Sequence, residues 1–356
     1  MNVFHVTRCI ATPRAYGGFN RSQQILGILA RHDIHCLPID LFSEEFGDRS
    51  GNVRAGLAPA LGANFPQPRS YARLWTAGRF HRMLAASQAR HPDVRPLLIW
   101  ESTGDELFGY AAAQMGLKVV ALPHDLVTLN RVPAPEPGPE LAREVLGLKR
   151  CDGLFTISRE EQWLLGLFDC PADFLPYFPP AALEASLLRA RQNRRPPANA
   201  PILLLGSISN PQTRAGVEHQ LQLLRSAAPA PGRRVILAGN GTEALAALAG
   251  ANVEVRGAVS DEALATLMAE SAVLWTYQAA GTGALTRIVE ALLAGLPVAG
   301  GGVALRSTAH LRDVYPVETV AELAALLPSL PPVAAQPVPP LQAEQELVKK
   351  VTALAA

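Results

Sequence analysis

The chain has 356 residues, 49% of them hydrophobic and 18% charged, with 32 Lys and Arg against 31 Asp and Glu. At about 150 residues per domain this predicts two domains. The apolar content argues against a disordered chain, and a net charge of +1 argues against a nucleic-acid binder. Cys9, Cys36, Cys151 and Cys170 stand far apart with no CxxC pair, which argues against a disulfide scaffold or zinc knuckle and suits a reducing compartment.

The opening MNVFHVTRCIATP carries a histidine and an arginine inside its apolar part and has no signal-peptide core. Two long uncharged stretches, 271–286 and 291–305, contain glycine, and neither reads as a spanning helix. The expected location is cytoplasmic, free or at the inner face of a membrane.

In chain order, residues 2–7 (NVFHVT) read as a strand. A loop with Tyr16, Gly17 and Gly18 follows, then a helix from Ser22 to Arg31 with Ile25, Leu26 and Leu29 on one face. Further strands are predicted at 35–40, 96–100 (PLLIW), 118–122 (KVVAL) and 153–157 (GLFTI), each followed by a helix-like stretch. Such alternation predicts α/β architecture, a parallel sheet with helices on both faces. Residues 67–96 hold Arg69, Arg73, Arg79, Arg82, Arg90 and Arg95 against Asp93, interleaved with Tyr71, Trp75 and Phe80. A basic, aromatic helix suits anionic lipid, so 69–95 is a candidate peripheral membrane contact. A solvated face over an ordinary core stripe accounts for the pattern better.

Prolines and the Arg194–Arg195 pair mark 179–200 as a linker. The βα pattern then restarts, with strands expected at 202–205, 234–238, 253–256, 273–276 and 297–299. A second proline-rich stretch precedes a helix at 341–354, whose positions Leu341, Leu347, Val348, Val351 and Leu354 form an apolar stripe that must be buried. The expected division is 1–178 (acceptor side), the 179–200 linker, 201–327 (donor side), and 328–356 as a crossover ending in a helix on the N-terminal domain.

Ligands of open parallel sheets bind beyond the carboxyl ends of the strands, so the loops there are the candidate sites of chemistry. The strongest is GTGALTRIVE (281–290), followed by ALLAGLPV. A strand leads into a glycine-rich loop that opens a helix, and exposed N–H groups at a helix start form an anion site. Glu290, two turns in, suits a ribose diol, and by itself fits an ordinary exposed helix glutamate equally well.

This stretch resembles the nucleotide-sugar motif of the family 4 glycosyltransferases of GT-B fold. That motif runs Gly-x-Gly, a basic residue three positions before a Glu, then Gly-x-Pro-Val. PILLLGSISNP, VILAGNG, VEVRGAVSDEALATLMAESAVLW and CDGLFTISREEQWLL resemble other family segments in the expected order. The resemblance implies two Rossmann-like domains facing across a cleft, and transfer of a sugar from a nucleoside-diphosphate donor to a hydroxyl acceptor with retention and without a bound metal or other cofactor. It implies Glu290 at the donor ribose, Gly283 and Ala284 offering N–H groups to the diphosphate with Gly281 and Thr282 in the same donor-binding loop, and Val259 near the base. Many members carry a second Glu eight residues before the ribose Glu, and here that position is Thr282. The loop that often carries Arg and Lys is here 207–210, beginning with Ser207. Arg287 and Arg214 are then the candidates for the diphosphate, a guanidinium suiting phosphate through paired hydrogen bonds. A lone Arg214 more often coats a helix.

His124 closes ALPHD at the end of a predicted strand. A strand histidine is more often structural, and the resemblance implies a contact with the transferred sugar. Asp125 fits an orienting or acceptor contact and a helix cap equally well. Gly17 and Gly18 resemble the family's loop near phosphate and acceptor, with Arg21 a candidate contact there. Two other readings stay open: a non-catalytic protein on the same fold, motivated by Thr282 and the missing basic loop, and a sugar-nucleotide epimerase.

Overall fold

The computed structural model describes residues 1–7, 17–40, 43–61, 70–101, 106–130, 137–226 and 233–356. Tyr16, Arg69 and Cys9 lie outside them. The chain forms two compact units, one of Met1–Pro176 with Pro340–Ala356 and one of Tyr177–Pro339.

The first unit contains β1 (Asn2–Val6), α1 (Gly17–Ala30), β2 (His35–Pro38), α2 (Arg49–Leu61), α3 (Tyr71–Arg90), β3 (Leu97–Trp100), α4 (Glu106–Gln114), β4 (Lys118–Ala121), α5 (Val127–Asn130), α6 (Pro137–Leu148), β5 (Gly153–Thr156), α7 (Arg159–Leu167) and β6 (Asp173–Phe174). Its six strands run parallel in the order β2-β1-β3-β4-β5-β6. The period of two along each strand sorts the core onto two faces. Phe4, Leu98, Trp100, Val119 and Ala121 meet α3, α4 and α6 through residues such as Phe80, Met83, Phe108 and Leu148. Val3, Leu97, Ile99 and Val120 face α1, through Ile25, Ile28 and Leu29.

Helix α3 turns Ala77, Phe80, Met83 and Leu84 into the core, as a core stripe requires. It crosses α2 closely enough that a Cβ on Gly78 would stand 1.7 Å from the Asn52 carbonyl oxygen. Its arginines are engaged within the unit. Arg82 donates to Asn52 at 2.8 Å, Arg79 donates to the Ser43 carbonyl at 3.3 Å, and Arg90 pairs with Glu45.

The second unit contains α8 (Ala181–Asn193), β7 (Ile202–Leu205), α9 (Pro211–Ser226), β8 (Val235–Ala238), β9 (Val253–Gly257), α10 (Asp261–Glu270), β10 (Val273–Gln278), α11 (Thr286–Leu293), β11 (Val298–Gly302), β12 (Val314–Pro316) and α12 (Val320–Leu326). Its sheet is also six-stranded and parallel, ordered β12-β11-β10-β7-β8-β9. Residues 179–200, expected as a linker, are folded into this unit. Buried Arg194 donates from Nε to the Pro332 carbonyl at 2.7 Å and from a terminal nitrogen to that of Met268 at 2.5 Å. Arg191 donates to the Leu292 carbonyl at 3.1 Å and to that of Ala334 at 2.5 Å. These two arginines fasten the proline-rich stretch, in which Ala334 is fully buried.

The last helix, α13 (Leu341–Ala355), belongs to the first unit. It crosses back and lays Leu347, Val351 and Ala355 on the α1 face of the sheet. Burying side chains such as Leu347 and Val351 contributes about 1.5–3 kcal/mol each. Val348 and Leu354 pack beside them, and one position of the expected stripe departs: Leu341 is exposed, and Glu344 is buried one turn on, pairing with Arg31 at 2.5 Å.

Candidate functional site

In each sheet the strand order reverses once, between β1 and β3 in the first unit and between β7 and β10 in the second. Ligands of such sheets bind at the carboxyl ends beside that reversal.

In the second unit, β7 ends at Leu205, just before Gly206, and β10 ends at Gln278. Residues 279–285 then lead into α11. Gly281 and Gly283 have φ of 124° and 72°, a region closed to ordinary side chains, which is why glycine stands at both. Arg287, in the first turn of α11, reaches back to Thr276, donating to its hydroxyl from Nε at 3.2 Å and a terminal nitrogen at 3.0 Å. A Cβ on Gly206 would stand 3.2 Å from the Arg287 guanidinium, so the two loops at the reversal meet at this cation. Burial first, then the neighbouring Arg306 charge, push Arg287 down to about 10 against the pull of Glu290, and it remains a cation at neutral pH.

Arg306, which the sequence reading did not single out, holds the glycine loop. It donates to the carbonyls of Gly283 at 2.8 Å and Thr282 at 2.6 Å, to Gln278 Oε1 at 2.8 Å and to the Val303 carbonyl at 2.7 Å. With the loop carbonyls turned to Arg306, two guanidinium groups and one carboxylate, Glu290, surround the start of α11. That balance favours an anion.

Glu290 is 9% exposed, and its Oε1 accepts from the Tyr177 hydroxyl at 2.6 Å. The alternative of an ordinary exposed helix glutamate is thereby corrected: five of its α11 neighbours are buried as well, and the carboxylate braces Tyr177. Thr282 and Ala284 lie in the same loop, half-buried. Ser207 is in the loop after β7, its hydroxyl 2.8 Å from that of Ser209. Val259 follows β9, at the outer edge of the sheet, just before the Ser260 cap of α10. Arg214 does not join this group. It is exposed on α9 and pairs with Glu218 at 2.8 Å, one turn along the same helix, so the helix-coating reading holds for its side chain.

In the first unit the reversal carries a buried carboxylate. Glu101 follows β3 directly, and its side chain is 1% exposed. It accepts from His5 Nε2 of β1 at 2.5 Å, from His124 Nε2 after β4 at 2.7 Å, and from the Ser22 hydroxyl of α1. Thr7 lies 3.1 Å from Ser22. Burial alone would raise the Glu101 carboxyl. The hydrogen bonds and charges of His124 and His5 overcome it and hold the group well below the usual carboxylate range.

The loop beyond His124 is fixed by two acids on neighbouring helices. Glu161 accepts from the Leu126 N–H at 2.8 Å, and Glu144 accepts from those of Val127 and Thr128 at 2.9 and 3.0 Å. Burial, opposed by these bonds and joined by the Asp125 charge, raises the Glu144 carboxyl. Asp125 therefore lies among acids beside His124. Gly17 and Gly18 are the first two residues of α1. Arg21 was expected at phosphate or acceptor and is fully buried instead, donating to Gln24 at 2.7 Å and to the carbonyls of Leu175 at 2.8 Å and Pro176 at 3.3 Å. It ties α1 to the end of the unit, which is a structural role. Glu101, His5 and Ser22 were missed. The available signal was a charged residue immediately after the apolar run PLLIW, and a histidine inside the first strand.

No protein-family model matches this chain, and no curated protein matches it in sequence. Solved structures do match in fold. Sucrose-phosphate synthase from Thermosynechococcus elongatus aligns over 99% of this chain and 94% of its own, at 17% identity and a TM-score of 0.61. HepE from Anabaena, in complex with UDP and glucose, aligns over 100% and 94%, at 14% identity and a TM-score of 0.59. UDP-GlcNAc 2-epimerase from Methanocaldococcus jannaschii aligns over 99% of each chain, at 11% identity and a TM-score of 0.53. The chain has the two-unit α/β fold of the GT-B glycosyltransferases. Among the described residues no helix is long and apolar enough to cross a membrane.

Proposed function

We propose that this protein is a glycosyltransferase that moves a sugar from a nucleoside-diphosphate donor to a hydroxyl acceptor, with retention and without a metal. The observation that carries the reading is two neighbouring guanidinium groups at the start of α11, Arg287 on the Thr276 hydroxyl and Arg306 on the carbonyls of the glycine loop, beside the strand-order reversal. In this reading Gly281–Ala284 and Arg287 hold the diphosphate, and Glu290 holds the ribose. The departing diphosphate gains charge as the glycosidic bond breaks, and fixed cations and N–H dipoles stabilise it without reorganising. The first unit supplies the acceptor side, with His124 and Asp125 contacting the reacting sugar. The fold likeness to HepE, solved with UDP and glucose, supports UDP-glucose as the first probe.

The test combines a thermal-shift screen of nucleoside diphosphates and their sugars with product analysis. A ligand at 100 times its Kd adds about 2.7 kcal/mol of stability. Stabilisation by the diphosphate together with turnover of the donor sugar is the expected result; binding without turnover means a non-catalytic protein. A second reading, a sugar-nucleotide epimerase, draws on the full-length likeness to the 2-epimerase and uses the same donor site. Its signature is free epimerised donor in the absence of any acceptor. Membrane contact through the basic, aromatic stretch 69–95, which exposes Tyr71, is tested by sedimentation with anionic vesicles.

A further inference from the structure

We infer that Glu101 is a positioning residue: it accepts the Nε2–H of His124, fixes that ring, and makes Nδ1 the nitrogen at which His124 gains and loses a proton. The use of that nitrogen in sugar transfer rests on the function proposed above; the assignment of the ring does not.

The argument is one of proton inventory. An ionised carboxylate only accepts hydrogen bonds. Glu101 has three donors around it: His124 at 2.7 Å, His5 at 2.5 Å, and Ser22. Each facing atom must then carry a hydrogen. Both imidazoles present Nε2–H, and the single hydroxyl proton of Ser22 points at the carboxylate. Ser22 can satisfy Thr7 only as an acceptor, so Thr7 donates across their 3.1 Å contact. One buried charge thus orders four side chains drawn from β1, its following residue, α1 and the loop after β4.

Exposure is unequal within the group. Glu101 and His5 are 1% exposed, and His124 is 20% exposed. His124 is therefore the member through which the network meets solvent or a ligand. A buried ion pair is weak evidence for stability, since well-packed apolar residues of similar volume often serve as well. Its place at the strand-order reversal is where a ligand-facing role is expected. The other titratable groups near it are Cys36 of β2, whose thiol is pushed up to about 12 by burial first and then by the Glu101 charge, Asp125 next in the chain, and Glu144 of α6.

The test is a pH titration of the imidazole nitrogens by NMR on the full chain labelled with 15N-histidine, for the wild type, Glu101→Gln and Ser22→Ala. Neutral His124 in the wild type should be the Nε2–H tautomer. Loss of the charge in Glu101→Gln should lower its midpoint by about 1–3 pH units. Ser22→Ala removes a competing donor and keeps the carboxylate, so the midpoint should rise. If Glu101→Gln does not fold, the wild-type tautomer and Ser22→Ala carry the test. An Nδ1–H tautomer in the wild type, an unmoved midpoint in Glu101→Gln, or a fall in Ser22→Ala would overturn the inference. Turnover of UDP-glucose is followed alongside. If the wild type turns it over and the Glu101→Gln pH–rate profile stays in place, the inference fails. If NMR behaves as expected and no sugar nucleotide is turned over, the transferase reading fails and the Glu101 assignment stands.

Discussion

The two strand-order reversals share a backbone plan and differ in the sign of their chemistry. In the first unit a buried carboxylate, Glu101, is ringed by donors from His5, His124 and Ser22. In the second a cation, Arg287, rests on the Thr276 hydroxyl, with a second, Arg306, on the loop carbonyls. The first arrangement satisfies its charge within the unit. The second brings two like charges together, and their repulsion contributes to depressing Arg287. A parallel sheet supplies a crevice at the reversal; the side chains at the strand ends decide what the crevice does.

This contrast predicts opposite responses to removing the central charge. Glu101→Ala should be the most damaging change, because it leaves buried His5 and Ser22 without their acceptor. Breaking a buried pair costs about 3–5 kcal/mol, and a thermal or urea melt would measure it. The pH dependence has a definite sign. The folded carboxyl lies below its unfolded value, so its stabilisation is complete above about pH 4.3 and is lost as pH falls through the folded value. A melt as stable as the wild type would break the comparison at its first side.

Arg287→Met should behave in the opposite way. The fold should melt within about 1 kcal/mol of the wild type, since an apolar residue of similar length can replace a buried ion. Affinity for a nucleoside diphosphate should fall about 10- to 100-fold, the worth of hydrogen bonds to a charged group. Smaller again is Glu290→Gln, which keeps an acceptor for the Tyr177 hydroxyl. It should weaken a nucleotide with an intact ribose several-fold, by about 1 kcal/mol, and leave a dideoxy nucleotide unaffected; calorimetry with the two ligands separates ribose binding from bracing. The smallest effect belongs to Arg214→Ala. Its exposed pair with Glu218 is worth about 0.3–0.5 kcal/mol, and nucleotide affinity should not move in a titration of that variant.

Much of the fold was legible because its signals are local. Ten of the twelve strands among the described residues announce themselves as short apolar runs, and the glycine loop before α11 carries a backbone signal in Gly281 and Gly283. The two unread strands, β6 and β12, have two and three residues, too few for a period to show. The 179–200 segment misled because proline and arginine usually mark exposed chain, whereas Arg191 and Arg194 here satisfy carbonyls of the proline-rich stretch after α12 and of α10. Arg21 misled for the same reason, a charge made internal by carbonyls more than 150 positions away. The candidate site was legible where its residues lie within one loop and the helix it opens, at 281–290. It was hidden where it is assembled from afar, as at Glu101, whose partners stand 96, 79 and 23 positions away.

The most direct test of the account is an isothermal titration of the full chain with UDP, wild type against Arg287→Met. Binding by the wild type that weakens about 10-fold or more in a variant of unchanged melting behaviour is the predicted result. Failure of the wild type to bind UDP or any other nucleoside diphosphate, or equal affinity in both proteins, would contradict it.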